Sequence, residues 1–257
     1  MIIKTNNRFR GLDMKIKFDN LKDLQFQTNE AYKVLRTNIS FSGEDVKVIA
    51  MTSSIPNEGK SEVSFNLCRS MAEDGKKILF VDADIRKSVI VSRHGVDVQT
   101  TGLSHYLSGQ NELEDVIYST NVENMDVIFT GQVAPNPAEL LGNNRFSKLI
   151  KTVRDRYDYI IIDCPPLGSV IDAAVIAKQA DAAVIVVEQK KVSYKLALNV
   201  KKQLQQSGVR ILGVVLNKVE SGGKGYGKGY YGKGYGYGYG YGYGYGYGYG
   251  YENNSKK

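Results

Sequence analysis

Between residues 46 and 219 short runs rich in Val and Ile recur, each too brief for a helix and each separated from the next by a longer amphipathic stretch. The runs Val48–Met51, Ile78–Val81, Met125–Phe129, Tyr159–Ile162, Ala182–Val187 and Ile211–Leu216 are apolar without alternation, the pattern of strands buried on both faces. Helical spacing appears in Val63, Leu67 and Met71, across Leu140–Arg154, and in Leu196, Val200 and Leu204, with a further helix expected over Thr28–Ser40. Strands alternating with helices pair in parallel through right-handed crossovers. The expected fold is therefore α/β: a doubly wound, mostly parallel sheet with helices on both faces and its ligand at the carboxyl ends of strands.

The rest of the composition agrees with one large core and appendages. A chain of 257 residues with 42% hydrophobic content needs no disulfide staples. Cys68 and Cys164 stand far apart with no CxxC or Cys/His cluster, so neither a disulfide framework nor a zinc site is indicated, and a reducing cytoplasm fits best. No run approaches the roughly 18 apolar residues of a membrane span, and the amino terminus lacks the apolar centre of a signal peptide, so a soluble, unexported chain is expected. The net charge of +7 is concentrated at the ends: residues 1–17 carry +4 and residues 221–257 another +4, leaving about −1 between them. Excess charge on two ends rather than on one folded face argues against a docked duplex, and no nucleic-acid partner is expected. An anionic membrane surface and plain solvated charge both remain open for the basic segment 1–23.

From Ser221 onward the chain holds 15 Gly and 12 Tyr, in near-perfect alternation from Gly234 to Tyr251. Glycine at every second position maximises the entropy lost on ordering and leaves one face of any strand bare, so residues 221–257 are expected to be a disordered tail.

The first strand leads into Ser54-Ile55-Pro56-Asn57-Glu58-Gly59-Lys60-Ser61. This matches the phosphate loop G-x-x-x-x-G-K-[ST] except that Ser54 replaces the first glycine. A strand-to-helix turn of this kind points backbone N–H groups and the positive helix end at a polyphosphate. Pro56, Asn57, Glu58, Gly59, Lys60, Ser61 and Glu62 are thus candidate nucleotide contacts, with Lys60 reaching the β- and γ-phosphates and Ser61 offering its hydroxyl to Mg²⁺. Two other strand ends supply acids: Asp82 with Asp84 two residues on, and Asp163. Strand ends on one edge of a parallel sheet meet at the same crevice, where a hard cation on phosphate needs carboxylates. Asp82, Asp84 and Asp163 therefore join Ser61 as candidate metal ligands.

The loop Pro56–Ser61, the motif Val81-Asp82-Ala83-Asp84-Ile85-Arg86 and Ile162-Asp163-Cys164-Pro165-Pro166 together resemble the bacterial tyrosine kinases, specifically the separate cytoplasmic kinase subunit of capsular or exopolysaccharide systems. Asn136-Pro137-Ala138-Glu139-Leu140-Leu141 and the tyrosine-rich end strengthen the likeness, which covers roughly residues 24–219. The resemblance implies a phosphate-loop kinase domain over 24–220 that uses ATP and Mg²⁺, with Lys60, Asp82 and Asp84 catalytic, Asp82 as base or orienting group for the attacking hydroxyl, and Asn217 as an adenine contact. It implies that the acceptors are Tyr226, Tyr230, Tyr231, Tyr235, Tyr237, Tyr239, Tyr241, Tyr243, Tyr245, Tyr247, Tyr249 and Tyr251. It also implies a ring of copies joined through a first-helix motif Glu-x-x-Arg-x-x-Arg, matched here by Glu30, Lys33 and Arg36, with Lys33 standing where arginine is expected. A membrane polysaccharide co-polymerase as activating adaptor, a phosphotyrosine phosphatase as antagonist, and a place at the inner face of the plasma membrane follow from the same likeness.

Related cell-division and plasmid-partition ATPases carry an extra lysine early in the loop, where this chain has Ser54-Ile55. A partition-type ATPase with a sticky Gly-Tyr tail is the alternative. His94 and His105 have no partner pattern for metal or triad and are expected to be structural or surface residues, and Cys164 a small hydrophobe at a buried strand end.

Overall fold

The computed structural model describes residues 15–96 and 101–220. The basic residues ahead of Lys15 and the whole Gly-Tyr segment with its twelve candidate acceptors lie outside the described residues. The chain builds β1 (Lys15–Ile16), α1 (Phe26–Ser40), β2 (Val48–Ser53), α2 (Lys60–Glu73), β3 (Ile78–Asp82), α3 (Ile90–His94), α4 (Leu103–Leu107), β4 (Tyr118–Thr120) and β5 (Met125–Ile128). It continues with α5 (Pro137–Leu141), α6 (Asn144–Val153), β6 (Tyr159–Asp163), α7 (Asp172–Ala177), β7 (Ala182–Glu188), α8 (Tyr194–Gln206) and β8 (Arg210–Asn217).

The strands form one eight-stranded sheet in the order β1-β4-β5-β3-β6-β2-β7-β8. All pairings are parallel except β4 with β5. Successive side chains of β2 enter different layers, as period-two geometry requires. Val48 and Ala50 pack with Leu79, Val81, Phe146, Leu149, Ile176 and Leu204 under α4–α8. Ile49 and Met51 pack with Phe80, Ile161, Tyr32, Val63, Leu67 and Met71 under α1 and α2. Both faces are covered, which is why the strand runs read as uninterrupted apolar stretches. From β2 the chain crosses to β3 on one side, and later strands fill in β6 and then β7 on either side of β2. This reversal opens a crevice at the carboxyl end of β2, the place where doubly wound folds bind ligands.

Three details depart from the sequence reading. Ile16 and Phe18 are buried in the layer below α2, so the packed fold begins before residue 24. The expected helix Leu140–Arg154 is two, because Gly142 and Asn143 interrupt it and the Asn143 side chain accepts from the N–H groups of Arg145 and Phe146 to start α6 afresh. At the far edge, β8 leaves Val214 and Leu216 exposed although its sequence resembles the central strands.

Candidate active site

β2 delivers the chain to the phosphate loop, and α2 opens at Lys60 with Gly59 in the left-handed region at φ +83°. A Cβ on Gly59 would stand 2.2 Å from Asn217 Nδ2, so this turn requires glycine. Asn217 Nδ2 donates to the Glu58 carbonyl at 2.8 Å and Lys218 Nζ to that of Asn57 at 2.9 Å. The end of β8 thereby clamps the loop, and one of the two N–H groups of the Asn217 amide is engaged by protein backbone.

Glu58 is buried, and its carboxylate accepts N–H groups from Ser54 at 2.6 Å, Ile55 at 2.8 Å and Glu188 at 3.0 Å. It ties the start of the loop to the end of β7, so it can face a nucleotide only through its backbone. Glu62 was expected to touch nucleotide as well, but it sits outside the cleft, held by Asn66 Nδ2 at 2.8 Å and facing Arg93 at 3.4 Å. As the third residue of α2 its side chain lies along the outer side of the helix, towards α3.

Lys60 and Asp163 meet at 2.7 Å, both buried. Burial alone would push the Lys60 ammonium down, but the Asp163 carboxylate holds it above its ordinary value. Ser64 Oγ donates to the same Asp163 oxygen at 3.1 Å, whereas Asp163 Oδ2 is buried with no hydrogen-bond partner. Asp82 stands beside Asp163 in the sheet register. Burial, and secondly the Asp163 carboxylate, raise Asp82 to about 7. Its Oδ2 takes a short hydrogen bond from the Ser88 hydroxyl. Asp84 lines the cleft itself, and burial raises it against the pull of Lys60.

The three acids thus gather at one sheet edge, but no group of three or more His, Cys, Asp or Glu among the described residues is arranged to hold a metal ion by itself. The expectation of one metal ringed by Asp82, Asp84 and Asp163 is corrected to that extent: Lys60 and Ser64 occupy one Asp163 oxygen and Ser88 one of Asp82. The donor set still suits a phosphate-bound Mg²⁺, because such an ion takes only one or two protein oxygens, and the orphaned Asp163 Oδ2 is a buried acceptor in need of a positive partner.

A family model described as an AAA domain matches residues 46–213. The tyrosine-protein kinase CpsD of Streptococcus agalactiae is 43% identical over 78% of this chain and 88% of its own length. The chain belongs to the bacterial tyrosine kinase family. The solved kinase domain of the Escherichia coli tyrosine kinase ETK superposes on this kinase with a TM-score of 0.71 at 35% identity, covering 77% of this chain and 80% of that one. The septum site-determining protein MinD of Pyrococcus horikoshii, solved with Mg-ADP, shares the fold at a TM-score of 0.58 and 29% identity, covering 66% of this chain and 70% of that one.

The cleft of the kinase is about 210 Å³ and is lined by loop residues Pro56–Ser61, Asp84, Pro165 and Pro166. That falls below the roughly 300–1,000 Å³ of a complete small-molecule site, so it suits a phosphate chain with the base left near the rim. Three cations to which the sequence assigned no role, Arg86 of the acidic motif, Lys87 and Arg93, line the same walls. Arg86 is held by Asp172 in a fork, at 2.7 Å from Nε and 3.1 Å from Nη2. Arg86 was visible in the acidic motif, but nothing local marks Asp172. Cys164 is fully buried and burial pushes its thiol up, the inert behaviour expected of a small hydrophobe.

On α1 the three motif residues part company. Lys33 pairs with Glu30 at 2.7 Å, half-exposed. Arg36 instead reaches across to α2, donating to the Ser70 carbonyl at 2.6 Å and pairing with Asp74 at 2.9 Å. The shared outward face expected from spacing is therefore reduced to Glu30 and Lys33, because Arg36 caps the negative end of α2. No helix among the described residues is long and apolar enough to cross a membrane.

Proposed function

We propose that this kinase transfers the terminal phosphoryl group of ATP to tyrosines of its C-terminal segment 221–257, the acceptor coming from a neighbouring copy in a ring. The observation that carries this reading is the buried Lys60–Asp163 contact at 2.7 Å with one Asp163 oxygen left orphaned, a charge arrangement completed by a polyphosphate and its counter-ion. In the proposed step the P–O bond to the ADP leaving group breaks, a P–O bond to phenol oxygen forms, and the phenol proton passes to Asp82. A carboxyl raised to about 7 is closer to a tyrosine of pKa about 10 than an ordinary aspartate is. The Ser88 hydroxyl on Asp82 Oδ2 marks where an acceptor hydroxyl would dock. Lys60 and the loop N–H groups hold the phosphates, and Mg²⁺, when bound, supplies neutralisation of charge on the phosphate oxygens. Ser61, Asp84 and Asp163 would hold the ion, and the carbonyl of the Asn217 amide would meet the base.

In the same proposal the kinase serves capsular or exopolysaccharide polymerisation and export from the cytoplasmic side of the membrane. A membrane co-polymerase switches it on and a phosphotyrosine phosphatase resets it, while Glu30 and Lys33 contribute to the contact between copies. The test is to incubate the full chain with ATP and Mg²⁺, with and without the adaptor's cytoplasmic segment, and to map phosphotyrosine by mass spectrometry beside a Lys60→Met control. Tail phosphotyrosine that disappears in the control supports the proposal. ATP hydrolysis with no phosphotyrosine in any arm returns the chain to the partition-ATPase alternative.

A further inference from the structure

Along the same carboxyl edge of the sheet, beyond β5, lies a second cleft of about 460 Å³, more than twice the volume of the phosphate cleft. It forms where the loop leaving β5 meets α4, and its polar lining includes Ser104, His105, Gln110, Gln132, Asn136 and Glu139. Two glycines bring these segments together. A Cβ on Gly102 would stand 2.3 Å from the Gly131 nitrogen, and one on Gly131, at φ +77°, 2.6 Å from His105 Nδ1. His105 Nδ1 accepts the Gly102 N–H at 3.0 Å, so the neutral ring carries its proton on Nε2 and presents a donor. Ser104 is only 5% exposed and its hydroxyl has no hydrogen-bond partner. That hydroxyl is turned against Gly131, where an added Cβ would stand 2.7 Å from it, so Ser104 shapes the wall and the ligand-facing groups are the amides and His105.

We propose that this cleft is the acceptor-peptide subsite of the kinase, taking the Gly-Tyr chain of a second copy on one side of the reacting tyrosine; the assignment rests on the kinase reading above. The lining chemistry selects a peptide. Its amides and the His105 ring match backbone N–H and C=O groups, and its one charged side chain, Glu139, repels phosphate. The phosphate cleft, by contrast, carries Lys60, Arg86, Lys87 and Arg93. Glycine at alternate positions leaves one side of an extended chain without Cβ atoms, so the backbone can approach the polar side chains of the cleft, while Val133, Pro135 and Leu140 give the tyrosine rings an apolar wall. The acceptor segment offers lysines at 224, 228 and 233 to Glu139.

The spacing also fits. β5 lies beside β3 and two places from β6, and strands sit about 4.8 Å apart, so the carboxyl ends of β5 and β6 are separated by about 10 Å, with the cleft lying further on in the loop that leaves β5. One extended Gly-Tyr pair covers about 6.8 Å. A tyrosine reacting over Asp82 and Asp163 places the next one or two repeats at the end of β5, and the repeats after those enter the second cleft.

The test uses the full chain and its Gln132→Ala/Asn136→Ala variant, with two synthetic peptides bracketed by lysines: Gly-Tyr repeats as substrate and Gly-Phe repeats as a non-reacting probe. The variant should bind the Gly-Phe peptide about tenfold more weakly by fluorescence anisotropy, the size of one or two net hydrogen bonds. It should raise KM for the Gly-Tyr peptide by the same factor, with kcat and ATP affinity unchanged. Equal binding of the Gly-Phe peptide by both chains, or none by the unaltered chain, overturns the subsite whatever the kinase assay gives. Amide-dependent binding without phosphorylation of any tyrosine peptide sinks the kinase proposal and leaves the peptide site standing.

Discussion

Glu58 offers the sharpest test of how the phosphate loop is held. Its buried carboxylate accepts three backbone N–H groups, from Ser54, Ile55 and Glu188, at 2.6–3.0 Å. Hydrogen bonds to a charged acceptor are worth about 1.5–3 kcal/mol each, so three would sum to about 5–9 kcal/mol if independent. They share one carboxylate, and Ile55 is only half-buried and can recruit water once the side chain is gone. The expected loss for Glu58→Ala is therefore about 3–5 kcal/mol. With a urea slope of about 1–3 kcal/mol per M, the unfolding midpoint should fall by at least about 1 M. Glu58→Gln keeps one oxygen for Ser54 and Ile55 but turns an NH₂ towards the Glu188 N–H, replacing one bond by a donor–donor conflict. It should fall between alanine and the unaltered chain. Nucleotide affinity should follow the same order, because the loop's N–H groups lose their fixed direction. If both variants unfold within about 0.5 kcal/mol of the unaltered chain, the size of an ordinary surface change, the carboxylate does not hold the loop and the reasoning fails.

Lys60→Met removes one member of a buried pair and should cost about 3–5 kcal/mol together with tyrosine phosphorylation. Adding Asp163→Asn should restore most of the stability and none of the activity, and a double variant no more stable than the single one would refute the pairing. His94 stacks on Phe65 at 3.9 Å with neither ring nitrogen hydrogen-bonded, and burial lowers its pKa. A folded pKa below the unfolded value of about 6.5 means that the unfolded chain takes up the proton first, so the stability His94 confers is full above pH 6.5 and drains away as the pH falls towards the folded pKa. His94→Leu should flatten the urea midpoint between pH 7.5 and 5.0 relative to the unaltered chain, and parallel curves would count against the assignment. Arg36→Ala should destabilise by about 1–2 kcal/mol through the lost contacts to Ser70 and Asp74. Lys33→Ala, in an exposed pair, should change thermal unfolding by less than about 0.5 kcal/mol.

What the sequence reveals depends on whether the determining contacts are local. Five of the six legible strands are covered on both sides and so carry uninterrupted apolar runs, such as Val48–Met51 and Ile160–Ile162, while β8 has the same pattern at an exposed edge. β1 and β4 span two and three residues and carry too little pattern to show. The phosphate loop and the strand-end acids were legible because a strand-to-helix turn and a parallel sheet edge fix their places in advance. The Glu58 clamp, the Ser88 bond to Asp82 and the Arg86–Asp172 fork, which joins residues 86 positions apart in sequence, arise only once the elements have packed. Asn217 and Arg36 show the same limit from the other side. Their positions were read correctly, and so were the loop and the helix that claim their side chains, but contacts between elements 34 or more residues apart carry no local pattern.

The division of β2 between two layers has a mechanical corollary. A single residue inserted after Val48 would exchange between the layers every side chain of the strand beyond it, turning Ile49 and Met51 towards the layer where Val48 and Ala50 belong. The same slip would rotate the exit of the strand by half a pleat just seven residues before Lys60 opens its helix. An indel here would therefore abolish ATP binding even in a molecule that managed to fold, whereas one in the turn at Gly75, where an added Cβ meets nothing, should be borne with little effect on catalysis.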